Sequence, residues 1–358
     1  MTVRYGIIGF GTMAFEHLQN IAVLDGAELV AVSDPSERQR GLAVDHGVPE
    51  GGLYADHREM IEKAGVDAVV IASPNHTHVD ILRDLLGSGK HFLIEKPLCT
   101  TVDDCREVER LAEKHRGVLW VGMEYRYMPP VTRLVEVIRD GAIGRLKMLA
   151  IREHRFPFLP KVGDWNRFAR NTGGTLVEKC CHFFDLMNFI TRAEPVRVYA
   201  SGAQDVNHLD ESYDGEIPDI LDNAYVIVDY DDGTRALLDL CMFAEASRNQ
   251  EEIAATGDAG KVECFIPSSD VVIGRRSPFR VESLETENVE VDKKALDAGY
   301  HHGSTYYQHV AFLNAIRTGA KPEVGIREGL RAVAVGAAAE RSIVERRPVD
   351  LGALPGAS

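Results

Sequence analysis

The chain has 358 residues, enough for two domains and a large buried core. Hydrophobic residues make up 45% and charged residues 27%, an ordinary globular composition that excludes a fibrous or mainly disordered chain. The formal net charge of −15 repels phosphate backbones and argues against a nucleic-acid partner, and no apolar run reaches the roughly 18 residues of a membrane span.

The first residues run directly into a strand-like segment without the parts of a signal peptide. Six cysteines, none in a CxxC pair, fit reduced thiols, so a cytoplasmic location is expected. Val3 to Ile8 is a short apolar run, followed by Gly9-Phe10-Gly11-Thr12-Met13-Ala14 and a helical stretch to about Leu24. Glu28 to Ser33 reads as a second strand ending at Asp34. Asp67 to Ala72 and His91 to Glu95 are strands with a helix between them. Val102 to His115 is an amphipathic helix and Val118 to Met123 a last strand. Apolar strands alternating with helices predict a doubly wound parallel sheet over residues 1–124.

Residues 125–358 have another rhythm. Arg145 to Arg155, Asn223 to Tyr230, Arg235 to Ala244, Glu251 to Thr256, Lys261 to Ile266, Val271 to Gly274 and Phe279 to Leu284 all read as strands. Asp231-Asp232-Gly233-Thr234 joins two of them as a hairpin. Strands in succession without intervening helices predict a large, mostly antiparallel sheet within a second α/β domain. Gly303 to Thr318 and the alanine-rich Ile326 to Arg346 are helical, the latter suited to close packing.

Gly9-x-Gly11-x-x-Ala14 between a strand and a helix is the pattern of a phosphate-binding turn. Gly9 permits the turn, Gly11 lets the backbone approach a pyrophosphate, and Ala14 lets helix and strand pack, so Thr12 and Met13 open a helix whose N-terminus faces phosphate. Asp34 lies 23 residues after Gly11 at a strand end, where a carboxylate accepts hydrogen bonds from a ribose. It would repel a 2′-phosphate, which favours NAD over NADP; Arg38 is the residue that would accept such a phosphate. The turns after two parallel strands, Ser73-Pro74-Asn75-His76-Thr77-His78 and Glu95-Lys96-Pro97, belong at the ligand crevice. Asn75 and His78 are candidates for the nicotinamide side, with helix capping the alternative for Asn75 or Thr77, and His76 is read as a turn residue.

Lys96 can donate to a substrate oxygen, although its reference pKa of about 10.4 suits a base near neutrality only if the surroundings lower it. Gly173 to Asp185 reads as the opening of one helix with Glu178, His182 and Asp185 on one face, which would orient the imidazole for proton transfer. Adjacent Cys180 and Cys181 are read as small buried residues, and no metal is expected. Asp185 also suits a cap or an arginine pair. Arg126, Trp165, Arg167, His301 and His302 are candidate substrate contacts, with core packing an equal reading for Trp165.

Together the glycine motif, Ser73 to His78, Glu95-Lys96-Pro97 and the helix of His182 and Asp185 resemble the Gfo/Idh/MocA family of glucose–fructose oxidoreductases and inositol dehydrogenases, over nearly the whole chain. The resemblance implies a Rossmann domain followed by an α/β domain, and hydride transfer between nicotinamide and a secondary alcohol of a sugar or cyclitol. It implies Lys96 and His182 as catalytic residues. Glu178 stands where many members carry Asp, and Cys180 where many carry Gly. Other activities stay open: a lyase or hydrolase using transient oxidation, a dehydrogenase of non-sugar substrates, or a dinucleotide-binding regulator without catalysis. One face of a large open sheet is costly to leave wet, so a homodimer or homotetramer is expected.

Overall fold

Six parallel strands open the computed structural model, which describes residues 2–277, 279 and 284–352. They are β1 (Val3–Ile8), β2 (Ala27–Ser33), β3 (Leu53–Tyr54), β4 (Ala68–Ile71), β5 (His91–Glu95) and β6 (Leu119–Gly122), in the order β3-β2-β1-β4-β5-β6. Helices α1 (Thr12–Ala22), α2 (Glu37–Asp45), α3 (His57–Lys63), α4 (His78–Leu85) and α5 (Val102–Ala112) connect them. Every residue of β4 is buried, because helices cover both faces. The segments α2 and β3 give weak periodic signals: α2 buries only Gln39 and Ala43. The strand order reverses between β1 and β4, which opens a crevice at the carboxyl ends of β1, β4, β5 and β6.

After α6 (Pro129–Arg139) come β7 (Leu146–His154), α7 (Ala169–Thr172), α8 (Thr175–Glu178), α9 (Cys181–Thr191) and β8 (Pro195–Ala203). Then follow β9 (Asn223–Tyr230), β10 (Arg235–Cys241), β11 (Glu251–Gly257), β12 (Gly260–Ile266), β13 (Asp270–Arg275) and β14 (Glu285–Asn288). The chain closes with α10 (Lys293–Asp297), α11 (Ser304–Thr318), α12 (Ile326–Glu345) and β15 (Val349–Asp350). Nine strands form one sheet in the order β14-β13-β12-β11-β7-β10-β9-β8-β15, antiparallel except for the β7–β10 pair. Four of the six residues of the strand expected at Phe279–Leu284, 280–283, lie outside the described residues; β14 follows from Glu285.

Burial alternates along β9 and β10, so one sheet face meets helices and the other is open. The small residues of α12 explain its close packing. Gly336 lies against the Leu176 carbonyl, where even a methyl group would collide with backbone. This helix packs on α9 and β8 and also on α5 and β6. Just before it, the Val324 carbonyl accepts from the Val121 N–H at 2.9 Å, so the returning chain ties the two sheets together.

Candidate active site

The glycine turn follows from β1 ending against β4. Gly9 has φ +83°, and a Cβ there would lie 2.6 Å from the Ser73 Cα, so only glycine lets the two strand ends meet. A Cβ at Gly11 would meet no atom within 4 Å, and no side chain caps α1. The first-turn amides of α1, at exposed Thr12 and half-buried Met13, thus face open space. The Asp34 oxygens accept from the Phe10 and Ser36 N–H groups, each at 2.8 Å, and each oxygen keeps a lone pair for a further donor. The free helix end, the open space above Gly11 and the carboxylate at the β2 end fit a dinucleotide. Arg38 is exposed on α2; the arginine beside the loop is Arg40, which donates to the Asp34 carbonyl at 2.6 Å.

At the far side of the crevice, Lys96 leaves the end of β5 and its Nζ donates to the Glu178 carbonyl at 3.1 Å. Burial acts to lower its pKa, but the Glu178 carboxylate, with Cys181, Glu95 and Glu124, outweighs burial and raises it. Lys96 is therefore an ammonium donor through the neutral range. His182 is 2% exposed, and burial together with Lys96 and Lys179 holds its pKa well below the usual value. It is therefore a neutral imidazole. Two groups pushed apart in this way have the protonation states of a donor and an acceptor.

Glu178 and His182 are not on one helix face. The chain breaks between α8 and α9, where the Cys180 N–H reaches back five residues to the Thr175 carbonyl at 3.4 Å. That wide turn inserts a residue and rotates α9 relative to α8. Glu178 consequently accepts from the Asn75 side chain, while His182 Nε2 lies 3.6 Å from Glu124 Oε1. His182 also stacks on Tyr125, with ring centroids 4.1 Å apart and planes 6° from parallel.

Other candidates hold the walls. His78 is buried with its ring nitrogens 3.0 and 3.1 Å from the Pro97 and Ser73 carbonyls, so it braces the two turns and does not face the crevice. Ser73 is bonded to Thr77. Glu95 accepts from His17 at 2.9 Å, and His17 meets His309 at 2.8 Å. Arg126 does not reach the crevice. It makes a bidentate pair with Asp185 at 2.5 and 2.6 Å, which is the arginine role foreseen for that aspartate. Arg167 pairs with Glu211 at 2.9 Å, and His302 with Ser269 at 2.7 Å. Trp165 is half-buried and meets His76 edge-on, at the crevice rim. His301 lies 2.9 Å from Glu16 and 6.2 Å from the Tyr125 ring; burial acts to lower its pKa, but Glu16 reverses this. All six cysteines are free, and Cys180 and Cys181 are buried.

Sequence reasoning missed Glu124, Tyr125 and Lys179. Lys179 is buried, 2.9 Å from Glu153, and donates to the Tyr125 hydroxyl at 2.7 Å. Burial lowers its pKa in spite of Glu153. Glu124 and Tyr125 lie two and three residues past the end of β6, in the strand-end segment from which the sequence reading took Arg126 alone as a site residue.

Known proteins carry the same organisation. Residues 3–123 match the profile described as an oxidoreductase family with an NAD-binding Rossmann fold, and residues 135–351 match that family's C-terminal alpha/beta domain. A myo-inositol 2-dehydrogenase of Thermotoga maritima is 28% identical over 357 residues, covering 98% of each chain. An inositol 2-dehydrogenase of Rhizobium meliloti is 27% identical, covering 98% of this chain and all of its own. The crystal structure of a probable dehydrogenase from Thermotoga maritima superposes with a TM-score of 0.78 at 25% identity, over 97% of this chain and 98% of its own. With both profiles matched in order on a parallel and a mostly antiparallel sheet, the chain belongs to the Gfo/Idh/MocA oxidoreductase family and carries that family's NAD-binding Rossmann domain.

Proposed function

We propose that this protein is an NAD-dependent dehydrogenase of one secondary alcohol in a sugar or cyclitol, working in reverse on the matching ketone. The observation that carries the reading is a half-buried, protonated Lys96 held on the Glu178 carbonyl together with a buried, neutral His182, at the crevice that begins at the glycine turn. The names of the full-length inositol dehydrogenase relatives support the substrate class. Bound NAD supplies the hydride acceptor. Gly11, Thr12 and Met13 would hold its phosphates, Asp34 its adenosine ribose, and Asn75 and the β5 end its nicotinamide side. Lys96 donates to the substrate oxygen and stabilises the alkoxide as it develops. His182 removes the hydroxyl proton. Glu178 fixes Lys96 through its carbonyl and Asn75 through its carboxylate. Trp165 and His301 are the substrate contacts we favour: Trp165 is half-buried beside His76, and His301 keeps 27% of its side chain exposed although its Nδ1 is held by Glu16, whereas Arg126 and Arg167 are buried in ion pairs.

The test is to follow NADH formation with a panel of inositols, aldoses and anhydrosugars, each repeated with NADP. Reduction of NAD by at least one polyol is expected. No reduction by any member would overturn the reading.

We further infer that copies associate through the open face of the nine-stranded sheet. Tyr199, Tyr225, Ile227, Leu237 and Met148 are exposed there. Ile227 stands beside both Leu237 and Tyr199 in the register, so these side chains form one apolar patch.

A further inference from the structure

Glu124 is the crevice carboxyl that neither the family resemblance nor the proposed reaction uses. It is 1% exposed, and neither of its oxygens has a hydrogen-bond partner. Glu95 and Glu178 beside it are bonded to His17 and Asn75. The basic side chain that meets its Oε1 is His182, 3.6 Å away at Nε2. The other ring nitrogen of His182, Nδ1, is likewise buried without a partner. Stacking on Tyr125 fixes the plane of the imidazole, and Lys179 fixes Tyr125 through its hydroxyl. A buried polar group left unpaired is costly, and a carboxyl can escape much of that cost by holding a proton.

We propose that Glu124 and His182 form a proton-holding pair, in which Glu124 takes from the imidazole the proton that the imidazole has removed from the substrate hydroxyl. This rests on the dehydrogenase reading above. The substrate O–H bond breaks, leaving its electrons on oxygen, and an N–H bond forms on His182. Those oxygen electrons form the carbonyl as the carbinol hydrogen leaves with its electron pair to NAD. The proton then moves from His182 to a Glu124 oxygen, which restores the neutral imidazole, and returns to solvent when product leaves. The nitrogen that does this is Nε2: it takes the hydroxyl proton and faces Glu124 Oε1 across 3.6 Å, while Nδ1 is buried without a partner and keeps its own proton. Glu124 acts through His182 and is a positioning residue.

The charged groups that face the pair come from every packed element. They are Glu95 and Lys96 at the end of β5, Glu178 and Lys179 at α8, Arg155 after β7, and His301 before α11. Burial, reinforced by Glu95, raises the Glu124 carboxyl to about 7 against the pull of His301 and Lys96. The pair therefore holds its proton on Glu124 below about 7 and has an open acceptor above it. Alcohol oxidation should rise with pH through this range.

The experiment combines a titration without substrate and a rate profile, both on the full chain. In the first, the ring nitrogens of His182 in 15N-histidine-labelled protein are followed by NMR from pH 5.5 to 8.5, in wild type and Glu124→Gln, with the signals assigned from His182→Gln. The expected result is a perturbation of the neutral His182 ring with its midpoint near the Glu124 value, absent in Glu124→Gln. A wild-type His182 ring that senses no ionisation in this range overturns the proposal, and this arm needs no variant of Glu124. In the second, the panel of inositols, aldoses and anhydrosugars is screened for NADH formation, and the rate with the most active member and saturating NAD is measured against pH. Glu124→Gln should lower kcat by about tenfold or more at pH 8 and flatten the acidic limb, with KM changed much less, and Glu124→Asp should restore part of both. An unchanged profile in Glu124→Gln overturns the pair while leaving the dehydrogenase reading intact. A coupled NMR titration without NADH formation supports the pair and overturns the dehydrogenase reading.

Discussion

Lys96 and His182 are enclosed by the same protein wall, yet their proton affinities move in opposite directions. The difference is in sign of neighbour. Carboxylates around Lys96 favour its charged form, while cations around His182 add to the burial penalty on its charged form. Lys96 is thus the hydrogen-bond donor to oxygen, and not the base that a free choice between the two would allow. Lys96→Met should lower kcat by at least about a hundredfold and leave NAD affinity nearly unchanged, since general acid–base groups contribute about 10²–10⁴-fold. His182→Ala should lose a comparable amount. If the two act as one relay, the double variant should lose far less than the product of the single losses. Turnover of the three variants, with NAD titration as control, decides it. A Lys96→Met protein retaining more than about a tenth of its rate would place the chemistry on His182 and its carboxyl neighbours alone.

Among the elements, the turn between β1 and α1 separates two uses of glycine. Gly9 is required by the fold: its φ is positive and its missing Cβ leaves room for the Ser73 backbone. Gly11 is in extended backbone with empty space around it, so the fold tolerates a side chain there. Gly9→Ala should cost about 1–3 kcal/mol of stability from strain and collision. Gly11→Ala should change stability by less than about 0.5 kcal/mol and yet weaken NAD binding at least about tenfold, by filling the space the pyrophosphate needs. Thermal unfolding and calorimetric NAD titration of both variants make the comparison. At the end of β2, Asp34 bears on cofactor choice. Its carboxylate is anchored by two backbone amides and cannot swing away from a 2′-phosphate. NAD should bind at least about tenfold more tightly than NADP, which corresponds to about 1.4 kcal/mol. Asp34→Asn, which keeps an acceptor but loses the charge, should narrow that ratio. Tighter NADP binding in the wild type would show that Arg38 or Arg40 governs the pocket.

For the whole molecule, the nine-stranded sheet has one face covered and one open. Burial alternates strictly along β9, placing Tyr225 and Ile227 outward and Ala224, Val226 and Val228 inward. Around the apolar centre lie ion pairs at the open surface, Arg152 with Glu252 and Arg197 with Asp229, and a hydrogen-bonded pair, His154 with Asp239. An apolar centre with a charged rim is the composition of an interface between copies. Light scattering at micromolar concentration should give the mass of a dimer or tetramer, and Ile227→Lys should shift it towards the monomer. A monomer mass for the wild-type chain would reject the association. Among the described residues no helix is long and apolar enough to cross a membrane.

Features that depend on neighbours along the chain were legible before any packing was known. The apolar run of β1, the turn at Gly9 and Gly11, and the alternation in β9 and β10 are local patterns, and each reappears with bounds close to those expected. The strand-end rule placed Lys96 and Asn75 at the crevice for the same reason, because a side chain's distance from a strand end is a property of the strand. Pairings between distant segments were decided only by tertiary structure. Arg126 was free to reach a ligand until α9 brought Asp185 to it, and Arg167 until Glu211 arrived. The carboxyl partner of His182 was expected four residues before it on the same helix. One wide turn at Cys180 rotated Glu178 towards Asn75, and the end of β6, more than fifty residues earlier in the chain, brought Glu124 to the imidazole. Periodicity reports which face a residue occupies within an element; which charge it meets is set by how the elements pack, and at this crevice that meeting fixes the protonation of each group.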